Sequence, residues 1–388
     1  MTRTFDEIND KIRRGQVAVF TAEEAVEMAR ECGVSEAARK IDVVTCATFG
    51  PMCSSGAFIN FGHSDPRIRM TEITLNNVPA SGGLAAVDTY MGATEQSRTE
   101  GMSYGGAHVI EDLIAGRPVT LRASSPGTDC YPRRSLEATL TLAELNQAYL
   151  YNPRNGYQNY PAATNSSGRA LYTYMGTLLP DYGNVTYSTS GELSPLLKDP
   201  ELRTIGIGTR VFLAGAQGYV AWQGTQYTRG HDAYEDGDDF NGATLAVIGD
   251  MKRMNPRYIR AAVFPRYGVT MFVGLGIPIP VLDEDLMDRL SRSNERIFTQ
   301  LVDYSTGRLS RPTLGRVSYA QLRSGSINLA GRVVPTAPLS SLYMAREIAA
   351  LLKQDVSRGE FLLQEPVEML PVSHPMNPMA GVKEERLP

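Results

Sequence analysis

The chain has 388 residues, 42% of them hydrophobic and 21% charged, a globular composition with enough length for one large domain or two ordinary ones. Its formal net charge of -4 leaves no electrostatic footprint for nucleic acid or an anionic membrane. The longest apolar runs, such as 211–215 and 245–248, fall far short of the roughly 20 residues of a membrane span, and the charged start MTRTFDEINDKIRRGQ has no apolar signal core, so a cytoplasmic protein is expected.

In chain order, residues 5–14 and 21–32 read as two short helices. Thr21 and Glu24 have capping-box spacing, and Ala25, Met28, Ala29 and Cys32 then form one apolar face that Gly33 ends. The β-branched run 41–48 suits a buried strand that opens into the loop FGPMCSSGAF. Strands are predicted at 71–78 and 84–90, a helix at 108–115 and a strand at 118–124, which runs into the turn-rich SSPGTDCYPRR. Thr141 and Glu144 repeat the capping-box spacing and predict a helix towards Tyr149. Residues 151–240, rich in Gly, Asn, Tyr and Thr, read as loops and short strands around a pocket. A strand (244–248), a helix (256–263), a strand (269–275) and helices near 283–302 and 340–357 follow, before a polar, mobile tail. Strands and helices alternate, which predicts an α/β fold: mixed sheets with flanking helices and Gly-rich loops around a central pocket.

The four cysteines divide by environment. Cys32 on a helical stripe and Cys46 inside an apolar strand fit the structural role of small hydrophobes. Cys53 and Cys130 each lie in a Gly/Pro/Ser loop directly after a predicted strand, where α/β sheets collect ligands. The amides of Ser54, Ser55 and Gly56 offer a nest for an anion beside Cys53; Arg133 and Arg134 favour a thiolate at Cys130, against Asp129. Each is either a nucleophile or an ordinary loop cysteine. No close Cys spacing suggests a metal site. His231 and His374 read as solvated, and His63 and His108 either as acid–base groups or as hydrogen-bonded surface groups. GIGTRVFLAG and GLGIPIP complete no nucleotide motif, and their glycines read as tight turns or as close backbone approach to a small ligand.

The strings FGPMCSSGAFINFGHSDPRIRM, SYGGAHVIEDLIAG, SSPGTDCYPRR, LNQAYLYNPRNGYQ, IGIGTRVFLAGAQGYVAWQGTQ, YIRAAVFPRYGVTMFVGLGIPIPVL and FLLQEPVEMLP resemble the homocysteine biosynthesis family, whose best-described members are L-aspartate semialdehyde sulfurtransferases of anaerobes. The resemblance runs to about residue 371, so one catalytic domain over 1–371 and a mobile tail over 372–388 are expected. It implies conversion of aspartate semialdehyde, a reduced sulfur source (sulfide or persulfide) and two electrons into homocysteine, and it matches the family's two functional cysteines to Cys53 and Cys130. Cys130 is the preferred persulfide carrier on this reading, with Cys53 assisting reduction. Some relatives carry C-terminal CBS domains or an attached ferredoxin unit, so electrons are expected here from a separate iron–sulfur, ferredoxin-like partner, with no tightly bound cofactor; a homo-oligomer is compatible with all of this. A substrate carboxylate calls for an arginine, and Arg133, Arg154 and Arg210 are the candidates. A non-catalytic persulfide carrier, a sulfurtransferase for another aldehyde and a nucleotide-binding oxidoreductase are the alternatives.

Overall fold

The computed structural model describes residues 2–156, 159–234, 237–307 and 311–372, together with 376, 377 and 379. His374 lies outside the described residues, as does most of the 372–388 tail. Among the described residues the protein is a mixed α/β structure in which a ten-stranded and an eight-stranded sheet dominate. No described helix is long and apolar enough to cross a membrane.

The ten-stranded sheet runs in the order Val19–Thr21, Val43–Pro51, Gly268–Pro280, Arg210–Leu213, Ala216–Gln223, Leu245–Asp250, Gln147–Asn155, Gly56–Asn60 and Asp88–Gly92, with Ile259–Phe264 added beside Gly268–Pro280. Its backbone is the long antiparallel pairing of Val43–Pro51 with the far half of Gly268–Pro280, from Val43↔Pro280 to Pro51↔Phe272. Both strands are apolar and almost wholly buried. Such runs need cover on both faces, and the helix Leu342–Ser357 supplies one of them through Ala345, Ile348, Ala349 and Leu352. Thr45 Oγ1 also donates to the Ala349 carbonyl at 2.9 Å.

One connection dictates the sheet's shape. Val43–Pro51 and Gly56–Asn60 are joined only by residues 52–55, yet they stand six places apart in the strand order. In a flat sheet that separation would be about 29 Å. The connecting segment reaches at most about 17 Å even when fully extended. The sheet must therefore curl until its two halves meet, and residues 52–55 bridge the closure.

The eight-stranded sheet includes Ala162–Thr164, Val185–Tyr187, Ile297–Asp303 and Arg332–Pro338, paired partly in parallel. A four-stranded sheet, ordered Ser135–Leu140, Val119–Ser124, Glu72–Leu75 and Val78–Ala80, carries the Cys130 loop between its first two strands.

Several predicted elements form as expected. Thr21 and Glu24 close a complete capping box on the helix Ala22–Cys32, and the helices Gly106–Ile114 and Leu342–Ser357 are in place. Two predicted helices do not form, and a third is cut short. Thr141 and Glu144 do make their capping box, but it holds only the 3-10 turn Leu142–Glu144 before the strand Gln147–Asn155 begins. In that strand Ala148, Leu150 and Asn152 point inward and Tyr149 outward, so period-two burial overrides the cap. Residues 256–263 form a 3-10 turn and then the strand Ile259–Phe264, which gains a hairpin partner in Gly268–Pro280. The helix expected over 283–302 is only Glu284–Leu290; Ile297–Asp303 is a strand.

The GLG of GLGIPIP meets a helix, where approach to a ligand was one expectation. A Cβ at Gly274 would lie 2.8 Å from Ile348 Cδ1 and 3.3 Å from the Tyr258 carbonyl oxygen, and one at Gly276 would lie 3.2 Å from both Ile348 and Leu352. Gly274→Val is therefore expected to overpack this contact and cost about 1–3 kcal/mol in denaturant unfolding. Gly168→Val, where nothing lies within 4 Å, should stay within about 0.5 kcal/mol of the parent. Equal midpoints for the two variants would contradict the packing account.

Candidate active site

Cys53 stands on the segment that closes the curl. The Ser55 amide donates to the Met52 carbonyl at 3.0 Å, which makes a tight turn, and the Met52 amide donates to the Met271 carbonyl at 2.7 Å, which ties the turn to the long strand. A fully buried side chain holds it from the other side. Asn152 Oδ1 accepts from Ser54 Oγ at 2.9 Å and from the Arg154 amide at 2.9 Å, while Asn152 Nδ2 donates to Ser55 Oγ at 2.7 Å. The strand Gln147–Asn155 shifts register against Leu245–Asp250 between Asn152 and Asn155. A bulge of this kind re-aims the side chains next to it, and Arg154 lies within it.

The turn faces a cavity of about 290 Å³. Its walls include Pro51, Cys53, Arg154, Tyr160, Tyr174, Ser188, Gln226, Phe264, Tyr267 and Thr270. The segment 151–240, expected to surround a pocket, supplies Arg154, Tyr160, Tyr174, Ser188 and Gln226. Phe264, Tyr267 and Thr270 come from the hairpin of Ile259–Phe264 with Gly268–Pro280. Arg154 Nε donates to Thr225 Oγ1 at 3.2 Å, which fixes the stem and leaves its Nη groups for a ligand. Thr270 is 1% exposed, and its hydroxyl has no hydrogen-bond partner although it lines the cavity. Buried hydroxyls are normally paired, so this one marks room for a polar ligand.

Burial pushes the Cys53 thiol above its ordinary pKa; the positive charge of Arg154 and hydrogen bonds from the Cys53 and Ser54 amides pull in the opposite direction. The Ser54 amide thus serves the sulfur, as part of the expected nest, whereas the Ser55 amide is spent on the turn. Tyr267 is pushed up to about 12, first by burial and then by the negative charge that Cys53 or Tyr174 would carry.

Cys130 is elsewhere. It is exposed, on a turn closed by reciprocal backbone bonds between Thr128 and Tyr131 at 2.9 and 3.1 Å. Arg133 pins this loop to the Pro66 carbonyl at 3.0 Å and the Asp65 carbonyl at 2.7 Å. Those carbonyls follow the strand Gly56–Asn60, whereas Cys53 precedes it. Cys130 and Arg133 do not line the cavity, and neither does Arg210, whose Nη1 donates to the Leu362 carbonyl at 3.0 Å. Of the five residues picked from the sequence, Cys53 and Arg154 come together.

Cys46 is fully buried and pushed up to about 12 by desolvation, and Cys32 donates to the Met28 carbonyl at 3.1 Å, so both are structural. His108 Nδ1 accepts from the Gly105 amide at 3.1 Å and burial lowers its pKa, while His63 packs near Tyr131 with ring centroids 6.2 Å apart; neither reaches the cavity. Among the described residues no group of three or more His, Cys, Asp or Glu is placed to hold a metal ion.

Residues 17–363 match the profile of a family described as "homocysteine biosynthesis enzyme, sulfur-incorporation". A protein of Methanosarcina acetivorans called L-aspartate semialdehyde sulfurtransferase is 51% identical over 95% of this chain and 72% of its own length. A protein of Methanocaldococcus jannaschii with the same name is 50% identical over 95% of this chain and 73% of its own length. An uncharacterized protein of Methanothermobacter thermautotrophicus is 29% identical over 84% of this chain and 73% of its own length. No solved structure matches the chain significantly.

The environments of Cys130, Cys53 and Cys46 set an order of reactivity. Alkylation of the folded protein, followed by peptide mass spectrometry, should label Cys130 first, Cys53 more slowly, and Cys46 only on unfolding. The Cys53 rate should rise with pH through a midpoint above the ordinary thiol value of about 8.5. Arg154→Gln removes the cation that favours the thiolate, so it should move that midpoint higher and slow labelling at a fixed pH. A Cys53 midpoint that does not respond to Arg154→Gln would contradict the assigned electrostatics.

Proposed function

The chain belongs to the sulfur-incorporating homocysteine biosynthesis enzymes, and from that membership we propose that it transfers inorganic sulfur to L-aspartate semialdehyde to give L-homocysteine, with Cys53 handling the sulfur. The observation that carries this reading is the pairing of Cys53 with Arg154 in one cavity that also contains an unpaired buried hydroxyl. At about 290 Å³ the cavity suits a four-carbon amino aldehyde, close to the low end of small-molecule sites.

The stoichiometry is that aldehyde, hydrogen sulfide, two electrons and two protons give thiol and water. A carbon–sulfur bond forms, the carbonyl oxygen leaves as water, and the thioaldehyde-level carbon is reduced. If sulfur arrives as a persulfide on Cys53, two further electrons cleave the sulfur–sulfur bond. Arg154 binds the substrate carboxylate, as a guanidinium does best in a partly dry site. The raised thiol pKa keeps empty Cys53 protonated and quiet. A persulfide is a stronger acid than its parent thiol, so in the same surroundings the loaded sulfur ionises more readily than the empty thiol.

Cys130, exposed at a turn outside the cavity, acts in this scheme as the entry thiol for an external donor of sulfur or electrons, such as a ferredoxin-like protein. This reverses the roles preferred from the sequence. A direct bond between the two sulfurs needs Cα atoms within about 7 Å, and Arg133 anchors the Cys130 loop away from the cavity, so exchange requires loop movement.

Homocysteine formation from semialdehyde, sulfide and a chemical reductant provides the test. Cys53→Ser should abolish it. Cys130→Ser should keep most of it with small-molecule donors and lose it with a protein donor. Arg154→Gln removes a charge-assisted interaction of about 1.5–3 kcal/mol, so the semialdehyde KM should rise at least about tenfold. Arg133→Gln and Arg210→Gln, whose side chains serve main-chain carbonyls, should leave KM unchanged. Full activity in Cys53→Ser would overturn the reading, and labelled sulfur bound without turnover would mark a carrier.

A further inference from the structure

Any chemistry in the Cys53 cavity that expels a carbonyl oxygen as water must move protons, yet among the described residues the cavity walls contain no His, Asp, Glu or Lys. Apart from Cys53 and Arg154, the described titratable groups that line it are the phenols of Tyr160, Tyr174 and Tyr267. These three are not equivalent. Tyr174 sits at the tip of the hairpin joining Leu171–Thr173 to Gly176–Leu178, where the Met175 amide donates to Thr173 Oγ1 at 3.0 Å and Gly176 takes a φ of +82°. From there its hydroxyl enters a network. The Tyr160 hydroxyl donates to it at 2.9 Å, Arg311 Nη1 donates to it at 3.2 Å, and the Tyr304 hydroxyl lies 3.2 Å away. The Arg311 guanidinium is itself held over the Tyr304 ring, 3.8 Å from the centroid. Two donors, one of them a cation, thus converge on the phenol oxygen of a residue in the cavity wall, the arrangement that supports a phenolate.

We propose that Tyr174 is the catalytic acid–base residue of this cavity: its hydroxyl gives a proton to the departing substrate oxygen, and its phenolate then takes one back from sulfur. The proposal rests on the sulfurtransferase reading and names the proton donor that this reading lacks. In the step concerned, the adduct R–CH(OH)–SH becomes R–CH=S and water. The carbon–oxygen bond breaks as the Tyr174 proton joins the hydroxyl. The sulfur–hydrogen bond supplies the electron pair of the carbon–sulfur double bond, and its proton returns to Tyr174. No electrons leave or enter, because the reduction that follows is a separate event.

The neighbours agree with this choice. Burial opposes ionisation of Tyr174, but hydrogen bonds from Tyr160, Tyr304 and Arg311 outweigh it and bring the phenol below its ordinary value. Tyr304 and Tyr267 are both pushed upward, in part because Tyr174 is the one that becomes negative. Tyr267, in the same cavity wall, feels the charge of Cys53 as well as that of Tyr174, with its ring 6.2 Å from that of Tyr174. The acid therefore shares the cavity with the sulfur without sharing its hydrogen-bond donors.

Steady-state homocysteine formation by the full-length protein tests the assignment. Tyr174→Phe should lower kcat about 100-fold or more, the usual loss for a general acid, with the semialdehyde KM close to the parent's. In the parent, kcat should fall as pH rises through the Tyr174 pKa, at a pH below the ordinary phenol value of about 10, because a general acid works only while protonated. Tyr160→Phe, which leaves Tyr174 in place and removes one donor to its oxygen, should shift that fall to higher pH. Tyrosinate absorbance titration should show that the phenol titrating first is missing from Tyr174→Phe. An active parent with a fully active Tyr174→Phe overturns this proposal alone, whereas a parent that makes no homocysteine overturns the sulfurtransferase reading and this proposal with it. If Tyr174→Phe does not fold, the Tyr160→Phe profile decides, and an alkaline fall that stays put refutes the role.

Discussion

The buried amide of Asn152 is the interaction on which the site depends. Its oxygen holds the Ser54 hydroxyl and the Arg154 amide, and its nitrogen holds the Ser55 hydroxyl. Those bonds join the Cys53 turn to the bulge that carries Arg154. A buried polar group left half-satisfied costs about 1–3 kcal/mol, so the two segments are kept together by the penalty for separating them as much as by the bonds themselves. The sulfur and the cation arrive in one cavity because one side chain, wholly out of water, is shared between their loops.

That clamp works because the sheet has already brought the loops close. Strands joined by residues 52–55 stand six places apart in the ten-stranded sheet, and the curl that reconciles these facts creates a concave closure. The long strand Gly268–Pro280 supports it twice. Its far half pairs with Val43–Pro51, and its near half forms the hairpin whose tip contributes Tyr267 and whose body contributes Thr270. The helix Leu342–Ser357 can press on this strand only where Gly274 and Gly276 leave space. The glycines of the long strand thus act at a distance from the chemistry, by letting the layer behind it close.

The sequence disclosed parts of this clearly. Local signals succeeded where local physics decides the outcome, as in the capping box at Thr21 and Glu24, the apolar stripe that follows it and the buried strand through Cys46. Sorting Cys53 from Cys32 and Cys46 also rested on local backbone character. Local signals failed where a distant partner overrode them: the cap at Thr141 is real, yet Ala148, Leu150 and Asn152 alternate inward because strands on both sides pair with them. Residues 256–263 read as a helix, and only its hairpin partner makes Ile259–Phe264 a strand. Cys130 and Arg133 had the same loop signature as Cys53 and Arg154, and nothing in the sequence told that one loop would line the cavity and the other would be tied to Asp65 and Pro66.

Tyr160, Tyr174, Tyr267, Tyr304 and Arg311 were illegible for a different reason. They come from separate turns and strands spread over some 150 residues, and each alone is an unremarkable aromatic or cation. What makes them a unit is that Tyr160, Tyr304 and Arg311 converge on the Tyr174 hydroxyl while the Tyr267 ring packs beside that of Tyr174, a property of tertiary structure with no periodicity or spacing to betray it. Asn152 is similar, since an asparagine after the alternating tyrosines 149 and 151 reads as an interruption of the pattern, whereas in the fold it is the joint.

The central claim, that sulfur bound for the substrate is held at Cys53 inside this cavity, is most directly tested by a single-turnover chase. The protein is loaded with isotope-labelled sulfide under mild oxidation, freed of excess, and mixed with semialdehyde and reductant while the label on each cysteine peptide and in homocysteine is followed by mass spectrometry. The account predicts label on Cys53 that disappears at the rate labelled homocysteine appears. Label that resides on Cys130 and passes to product with Cys53 never carrying it, or label on Cys53 that the semialdehyde does not discharge, would contradict it.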